Sequence, residues 1–288
     1  MAQKGQARVA VVTDSAACLP RELVECYGIH VVPFELVWEG RSYRDGVDIT
    51  SSEFYRRLER SVVHPTTTQP ALGTFIQLYA RLAQEAEGIV SIHVPEKLSN
   101  TVRAARMAAE QFASIPVEVI DARTAATAEG FIVLAAARVA AMGAPLEEVA
   151  ASARACIPRV GLYATLRTLE YLRRGGRIGQ AAALLGTRLH VCPVLYLADE
   201  QVRVAGVTRS RWRAKERILD LLASRVGDAP IRASVFHAAV PDEAAEMAEQ
   251  VQSRFHCLEF FISEFTPVMG AHTGPGTIGV AFCLEEAG

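Results

Sequence analysis

The sequence lacks the common motifs of enzymes and metal sites. It contains no GxxxxGK[S/T] phosphate-binding loop, no HExxH zinc motif, no GxSxG nucleophile elbow and no clustered spacing of metal ligands. Its six cysteines include no CxxC pair, and this pattern favours buried, reduced thiols of a cytoplasmic protein. We therefore expect no metal and no cofactor, and a protein that binds a ligand without transforming it.

Long hydrophobic runs and an excess of one charge are also missing. No apolar stretch is long enough to span a bilayer, because arginine or glutamate interrupts the longest alanine-rich runs. Residues 1–15 combine a short apolar run with no A-x-A cleavage site, which favours a first strand over a signal peptide. With 30 basic and 32 acidic residues, the formal net charge of −2 argues against a general nucleic-acid binder.

The sequence does contain enough apolar material for two hydrophobic cores. Half of its 288 residues are hydrophobic, and this length is typical of two domains. Strand and helix patterns alternate up to about residue 159, and they include one extended segment at His30–Trp38. After about residue 159 helix and strand patterns no longer alternate regularly, and a hairpin is predicted around Asp199 and Glu200. We predict an α/β fold with an N-terminal parallel-sheet domain, residues 1–159, and a smaller C-terminal α+β domain, residues 160–288.

Two hydroxyl-rich segments predict an anion site. Thr67 and Thr68 precede one amphipathic helix pattern, and Ser99 and Asn100 precede another. A helix start presents free N–H donors and partial positive charge, so two such starts could clamp a carboxylate or a phosphate. In α/β sheets such turns lie beyond the carboxyl ends of the strands, where ligands bind. Ordinary N-capping is the alternative interpretation of the same residues.

Two glycine-containing segments add candidate ligand contacts. Arg177 follows a Gly-Gly pair and could offer several N–H donors to an anion, although a helix end with solvated arginines explains the pattern equally well. His272 and Thr273 lie in the loop GAHTGPG, residues 270–276, which we expect to be rigid. His272 could donate to a ligand oxygen or move a proton. The G-x-G-x-x-G match at residues 274–279 precedes a strand pattern, so we reject a dinucleotide site.

One acidic residue is a further candidate for a catalytic role. Asp14 follows the first strand and could be catalytic, but a carboxylate that caps the next turn is the favoured interpretation.

Six segments in order resemble the bacterial DegV family. They run from about Val9 to Phe282 and read VVTDSAACLP, TTTQPALGTF, HVPEKLSNTVRAA, VIDARTAATAEG, LEYLRRGGRIG and GAHTGPGTIG. The resemblance implies an α/β domain, a smaller α+β domain and a fatty acid held between them. It also implies the role of a fatty-acid-binding subunit that presents its ligand to a separate kinase for acyl-phosphate formation.

The resemblance also implies roles for individual residues. Thr67 and Ser99 would bind the carboxylate, His272 would lie close to the same head group, and Arg177 would support it. Thr68, Asn100 and Thr273 complete the predicted ligand-binding set. In this chain Thr68 stands where the family usually has serine, and Asn100 stands where it usually has glycine.

The acyl chain would supply most of the binding energy. Burial of a methylene gains about 0.8 kcal/mol, so roughly fifteen methylenes could gain on the order of 12 kcal/mol before ordering costs. We expect an apolar tunnel, lined partly by the alanine-rich helix around residues 131–134.

A basic segment is the candidate docking surface. Residues 203–217 hold five arginines and one lysine against one glutamate. Arg209 and Arg213 could dock an acidic kinase subunit or touch an anionic membrane during ligand exchange, or simply belong to a solvated helix face. Two other functions remain open: a lipid-sensing regulator, and a stand-alone acyl- or phosphoryl-transfer enzyme with Ser99 as nucleophile and His272 as acid/base.

Overall fold

A computed structural model describes residues 9–112, 114–185 and 191–285. Residues 1–8, part of the segment for which the sequence predicts no signal peptide, lie outside these ranges. The strands are β1 (Val9–Asp14), β2 (His30–Val32), β3 (Glu35–Trp38), β4 (Arg41–Arg44), β5 (Thr66–Thr68), β6 (Gly88–His93), β7 (Val117–Asp121), β8 (Val160–Thr165), β9 (Cys192–Ala198), β10 (Gln201–Thr208), β11 (Ile231–His237), β12 (Cys257–Glu264) and β13 (Ile278–Leu284).

The helices alternate with these strands through much of the chain. They are α1 (Arg21–Tyr27), α2 (Ser51–Leu58), α3 (Leu72–Leu82), α4 (Thr101–Gln111), α5 (Ala126–Ala141), α6 (Leu146–Cys156), α7 (Glu170–Arg174), α8 (Arg211–Val226), α9 (Pro241–Arg254) and α10 (Pro267–Thr273). Short 3₁₀ turns cover Ser15–Ala17, Ile157–Arg159 and Gly179–Leu184. Within the described ranges, no helix is both long and apolar enough to cross a membrane.

The predicted parallel sheet is confirmed. Its strand order is β2-β1-β6-β7 and every pairing is parallel. Each residue of β1 and β6 is buried, as expected for strands covered on both faces. One face packs against α3 and α4 through a core that includes Phe75 and Tyr79, and α5 and α6 pack on the other.

A separate six-stranded sheet follows residue 159. Its order is β10-β9-β8-β13-β11-β12; β11 and β12 are parallel, and the other pairs are antiparallel. The predicted hairpin is confirmed: Asp199 and Glu200 both have positive φ, which a two-residue turn between twisted strands requires. The division into residues 1–159 and 160–288 stays a prediction.

A third sheet was not predicted. The extended segment expected at His30–Trp38 is divided: β2 joins the parallel sheet, while β3 begins an antiparallel sheet of order β4-β3-β5, which we call the small sheet. Helix α2 covers it through Trp38 and Phe54, whose ring centroids are 5.4 Å apart. Pro33 lies at this change of sheets, and a proline inside a strand pattern indicates such a break.

Helix α5 lies between the parallel sheet and the six-stranded sheet and is buried on almost every side. A helix that is apolar all round is typical of such a central position. Small residues allow close packing there: a Cβ added at Gly130 would lie 2.8 Å from Leu19 Cδ2.

The cysteines are free, but their burial is only partly as predicted. Cys18, Cys156 and Cys283 are buried, whereas Cys26 is exposed because α1 buries none of its residues.

Candidate functional site

A cavity of about 290 Å³ lies where the three sheets meet. Its walls are largely apolar and include Phe34, Leu162, Leu166, Leu195, Leu197, Phe236, Phe265, Val268 and Met269. Polar residues from four segments of the chain also line it: Thr67, Gln69, Ser99, Asn100, Arg177, His272 and Thr273. Six of the seven predicted ligand-binding residues therefore share one cavity. We call Thr67, Ser99, Arg177 and His272 the head-group cluster.

The placement of Thr67 differs from the predicted helix start. Thr67 lies on β5, opposite Leu36 of β3, and α3 begins only at Leu72 without a side-chain cap. Successive side chains of a strand point to opposite faces. Thr67 is therefore half-buried and lines the cavity, whereas Thr66 and Thr68 are exposed. Thr68 is not among the residues that line the cavity, because its side chain lies on the other face of the small sheet, and its contact with a ligand stays a prediction.

His272 forms the central contact of the cluster. Its Nε2 lies 2.7 Å from Thr67 Oγ1, although 205 residues separate the two in the chain. The segment predicted as a loop is in part the short helix α10, which ends at Thr273. His272 Nδ1 is buried and has no hydrogen-bond partner among the described residues. Because an orphaned buried N–H is rare, we assign the ring proton to Nε2, which donates to Thr67.

The charge state of His272 follows from its surroundings. Removal from water lowers the pKa of the imidazole to about 4, and the positive charge of Arg177 and the nearby His64 ring act in the same direction. His272 is therefore neutral at pH 7, and the cationic group of the cluster is the Arg177 guanidinium.

The glycine pair before Arg177 has two distinct roles. Gly176 has a φ of 69° and allows the chain to turn after α7. Gly175 has ordinary helical dihedrals but packs directly on the imidazole, and a Cβ there would overlap with His272 Nδ1. Arg177 Nη1 donates to Gly175 O at 2.6 Å, and its Nε donates to Leu98 O at 3.0 Å. Arg177 thereby joins the segment of Ser99 to the glycine turn, on which the His272 ring packs.

Ser99 and Asn100 follow β6, beyond the carboxyl end of a parallel strand as predicted. Asn100 occupies the N-cap position of α4 but makes no side-chain cap hydrogen bond. Ser99 does not cap this helix either, because its Oγ is hydrogen-bonded to Thr101 Oγ1 at 2.8 Å. The φ of Asn100 is −76°, so this backbone does not require glycine. The anion clamp therefore does not consist of two capped helix starts.

The expected tunnel wall is also wrong in part. Residues 131–134 are buried in the core, and the end of the alanine-rich helix, Ala125 and Ala126, lines the cavity instead. A helix without a polar face carries no signal for which part of it borders a cavity. Phe236 and Phe265 stack with centroids 4.8 Å apart and form one wall.

A second hydroxyl–histidine arrangement was missed by sequence reasoning. Ser91 Oγ lies 2.7 Å from His93 Nε2, and His93 Nδ1 lies 3.0 Å from Asp14 Oδ2. Tyr79 donates to Ser91, and Asp14 Oδ1 accepts from Ala16 N, which confirms the predicted capping carboxylate. These are the residue types of a hydrolase triad, but Ser91, His93 and Asp14 are fully buried and do not line the cavity described above.

The structure gives no catalytic pairing to the residues of the stand-alone enzyme hypothesis. His272 is hydrogen-bonded to Thr67, and Ser99 to Thr101, so no described hydrogen bond joins Ser99 to His272. Across the described residues, no group of three or more histidine, cysteine, aspartate or glutamate side chains could hold a metal ion.

The predicted docking residues lie away from the cavity. Ion pairs join Arg203 to Asp199, and Arg211 and Lys215 to Glu243. Arg209 and Arg213 are exposed and form no ion pair with any described residue; Trp212, between them in sequence, is 65% exposed. Arg217, one turn further along α8, is also exposed and in no ion pair with a described residue, so three free cations and one aromatic ring remain of the basic segment.

Comparisons with known proteins agree on one family. The model of a family described as "Uncharacterised protein, DegV family" matches residues 8–285. A DegV domain-containing protein of Streptomyces coelicolor is 39% identical over 94% of this chain and 97% of its own length. Protein DegV of Bacillus subtilis is 32% identical over 96% of this chain and 99% of its own.

Solved structures of the same family match this fold closely. A DegV family protein of Thermus thermophilus, described by its fatty acid binding, gives a TM-score of 0.91 with 35% identity and covers 96% of this chain and 100% of that one. Bacillus subtilis DegV, described as a fatty acid binding protein, gives 0.89 with 32% identity and covers 96% of this chain and 99% of that one.

Proposed function

Because this chain belongs to the DegV family, we propose that it binds a long-chain fatty acid in the cavity between its sheets. The observation that supports this most directly is the lining of the cavity. The head-group cluster, held by the Thr67–His272 and Arg177–Leu98 hydrogen bonds, borders walls that are largely apolar. A ligand with one acidic group and a long apolar chain matches both features.

The head-group cluster suits a carboxylate by chemistry and by charge. His272 Nε2–H donates to Thr67 Oγ1, so the Thr67 hydroxyl proton remains available to a ligand oxygen. The guanidinium of Arg177 uses Nε and Nη1 for backbone carbonyls and has further N–H donors. Its positive charge offsets that of the carboxylate, and Ser99 adds a hydroxyl. No cofactor is needed for binding of this kind.

The apolar walls supply most of the affinity. At about 0.8 kcal/mol per buried methylene, a chain of roughly fifteen carbons gains on the order of 12 kcal/mol before the costs of association and ordering. The polar cluster then sets the direction in which the ligand enters.

Binding is tested with delipidated protein and labelled palmitate or oleate. Thr67→Ala combined with Ser99→Ala should weaken binding by about tenfold, the loss expected for hydrogen bonds to a charged group. Thr66→Ala is the matched control, because its side chain lies on the exposed face of the same strand. No uptake by the unmodified protein would reject the proposal, and unchanged affinity of the double variant would reject this head-group site.

We further propose that the protein presents its ligand to a separate kinase subunit in the cytoplasm. Support comes from Arg209, Arg213 and the exposed Trp212, since exposed cations without ion pairs can steer and hold an acidic partner. Replacing Arg209 and Arg213 by Glu should abolish acyl-phosphate formation with a kinase partner and leave fatty acid affinity unchanged. Replacing the exposed Arg21 and Arg60 together by Glu changes the net charge by the same amount and is the matched control.

The same variants separate a protein partner from a membrane. If the double charge reversal leaves kinase coupling intact but slows fatty acid transfer from anionic vesicles, the surface serves ligand exchange at a membrane instead. If it changes neither, the docking role is rejected.

A further inference from the structure

A buried carboxylate lies behind the cavity, outside the residues that line it. Asp45 follows β4 directly and is only 3% exposed. Its backbone N–H donates to Phe34 O at 2.8 Å, and its Oδ1 accepts from Val268 N at 3.0 Å. Its Oδ2 has no hydrogen-bond partner among the described residues. Asp45 thus belongs to the segment of the small sheet but bonds to α10, the helix of His272.

The first turn of α10 depends on this contact. The early N–H groups of a helix have no partner within the helix, and Thr266, at the N-cap position, makes no side-chain cap hydrogen bond. Asp45 supplies that acceptor from 223 residues away in sequence. A carboxylate is suited to this position because the hydrogen bond is charge-assisted and because the helix start carries partial positive charge.

Helix α2 fixes the same segment from a second side. Tyr55 Oη donates to Phe265 O at 3.1 Å, directly before α10. Gly270, within α10, packs so closely on α2 that an added Cβ would lie 2.6 Å from Tyr55 Oη. The small sheet and its helix therefore hold α10 at its start and at its middle. The same sheet carries Thr67, the hydrogen-bond partner of His272.

The titratable groups around Asp45 are all acidic. Asp14, Cys18 and Tyr55 are the titratable groups that interact with it directly, and Glu129 and Glu264 act on Cys18 and Tyr55. No ion pair joins Asp45 to a basic group of the described residues. Burial raises the pKa of Asp45 to about 6, with Asp14 acting in the same direction. Hydrogen bonds with Ser15, Val268 and Thr266 act in the opposite direction and lower the pKa of Asp45.

We propose that Asp45 is a positioning residue for the head-group cluster: its charge-assisted hydrogen bond to Val268 holds α10 so that His272 stays within reach of Thr67. The consequence for ligand affinity rests on the proposed fatty acid binding. The consequence for the geometry of His272 does not, because the Thr67–His272 contact exists without a ligand.

The test combines two variants with a matched control. Asp45→Ala removes the acceptor, and Asp45→Asn keeps an acceptor oxygen without the charge. Asp48→Asn is the control, because Asp48 lies three residues away, pairs with Arg44 on the surface and does not contact α10. The measurements are ¹⁵N spectra of the His272 imidazole in the unliganded protein and the dissociation constant for palmitate.

Asp45→Ala should alter the tautomer and hydrogen-bond signature of His272 and weaken palmitate binding by about tenfold. Asp45→Asn should weaken it less, and its affinity ratio to the unmodified protein should approach one as the pH falls from 7.5 to 5. Ligand protonation cancels in this ratio, and the pKa of His272 lies below that window. Asp48→Asn should leave the ratio at one throughout.

Three results distinguish a failure of the inference about Asp45 from a failure of the proposed fatty acid binding. Unchanged His272 spectra and unchanged affinity in Asp45→Ala would overturn the inference. If that variant does not fold, a ratio for Asp45→Asn that is independent of pH would overturn it. If the unmodified protein binds no fatty acid, the proposed function fails, while the His272 spectra still decide whether Asp45 positions the ring.

Discussion

Two hydroxyl–histidine pairs in this protein have the same separation and different surroundings. His93 and Ser91 are 2.7 Å apart, and so are His272 and Thr67. Both ring nitrogens of His93 have partners, because Asp14 lies on the far side, and the group is sealed in the core. His272 keeps one nitrogen without a partner and borders a cavity. Similar hydrogen-bond geometry is therefore enclosed in the core in one place and borders the proposed ligand cavity in the other.

Removing each histidine should separate the two roles. His93→Ala leaves the buried Asp14 carboxylate with backbone N–H donors but no side-chain partner, and it should lower the free energy of unfolding by about 3–5 kcal/mol. His272→Ala should lower it by less than about 1 kcal/mol while weakening fatty acid binding at least tenfold. Chemical denaturation and ligand titration of both variants measure the contrast. Equal losses of stability would contradict it.

The stability effect of Asp45 should depend on pH in a defined direction. Its pKa rises from 3.8 to about 6 on folding, so the unfolded chain loses this proton first. Stability is therefore lost as the pH rises from 3.8 through 6. Asp45→Asn, which cannot ionise, should exceed the unmodified protein in unfolding free energy by up to about 3 kcal/mol at pH 8 and by nothing near pH 3. Denaturation at both pH values measures this, and a difference that does not grow with pH would refute it.

The close packing around His272 can be broken from the opposite side. Gly175→Ala should push the ring away from Thr67 and weaken fatty acid binding by about tenfold, with a stability loss of about 1–3 kcal/mol. Gly73→Ala is the control, because nothing lies within 4 Å of a Cβ at that position in α3. Calorimetric titration compares the two variants, and equal affinities would show that the close approach at Gly175 is unimportant.

The smallest effect is expected at Asn100. Its φ of −76° suits any residue, so Asn100→Gly relieves no strain and should change stability by less than about 1 kcal/mol. Fatty acid affinity should stay within about twofold, because the amide makes no cap hydrogen bond. Thermal unfolding and titration check this, and a large gain in affinity would mean that the amide obstructs the head group.

Local patterns in the sequence predicted the parts of this protein that local forces determine. The parallel sheet and the hairpin at Asp199–Glu200 follow from strand periodicity and turn position. The small sheet did not follow, because Pro33 indicates a break between β2 and β3 but not which sheet the next strand joins. The orientation of Thr68 depends on that sheet, so the sequence did not indicate it either.

The residues of the cavity were predicted better than the reason for their position. Thr67 and Ser99 were expected at capped helix starts, but a strand and an uncapped turn carry them. The contacts of Asp45 with Val268 and of Gly175 with His272 join segments far apart in sequence. Such contacts depend on tertiary packing, for which periodicity and motif spacing contain no signal.

The central claim is that Thr67, His272 and Arg177 receive one carboxylate whose chain lies in the apolar cavity. The most direct measurement is the ¹³C spectrum of carboxyl-labelled oleate bound to the delipidated protein, followed over pH with and without Thr67→Ala. The account predicts one bound carboxylate signal, whose pKa lies below that of free oleate because of Arg177 and which shifts in the variant. A bound carboxylate signal with the same pKa as free oleate, and with no change in the Thr67→Ala variant, would contradict this claim.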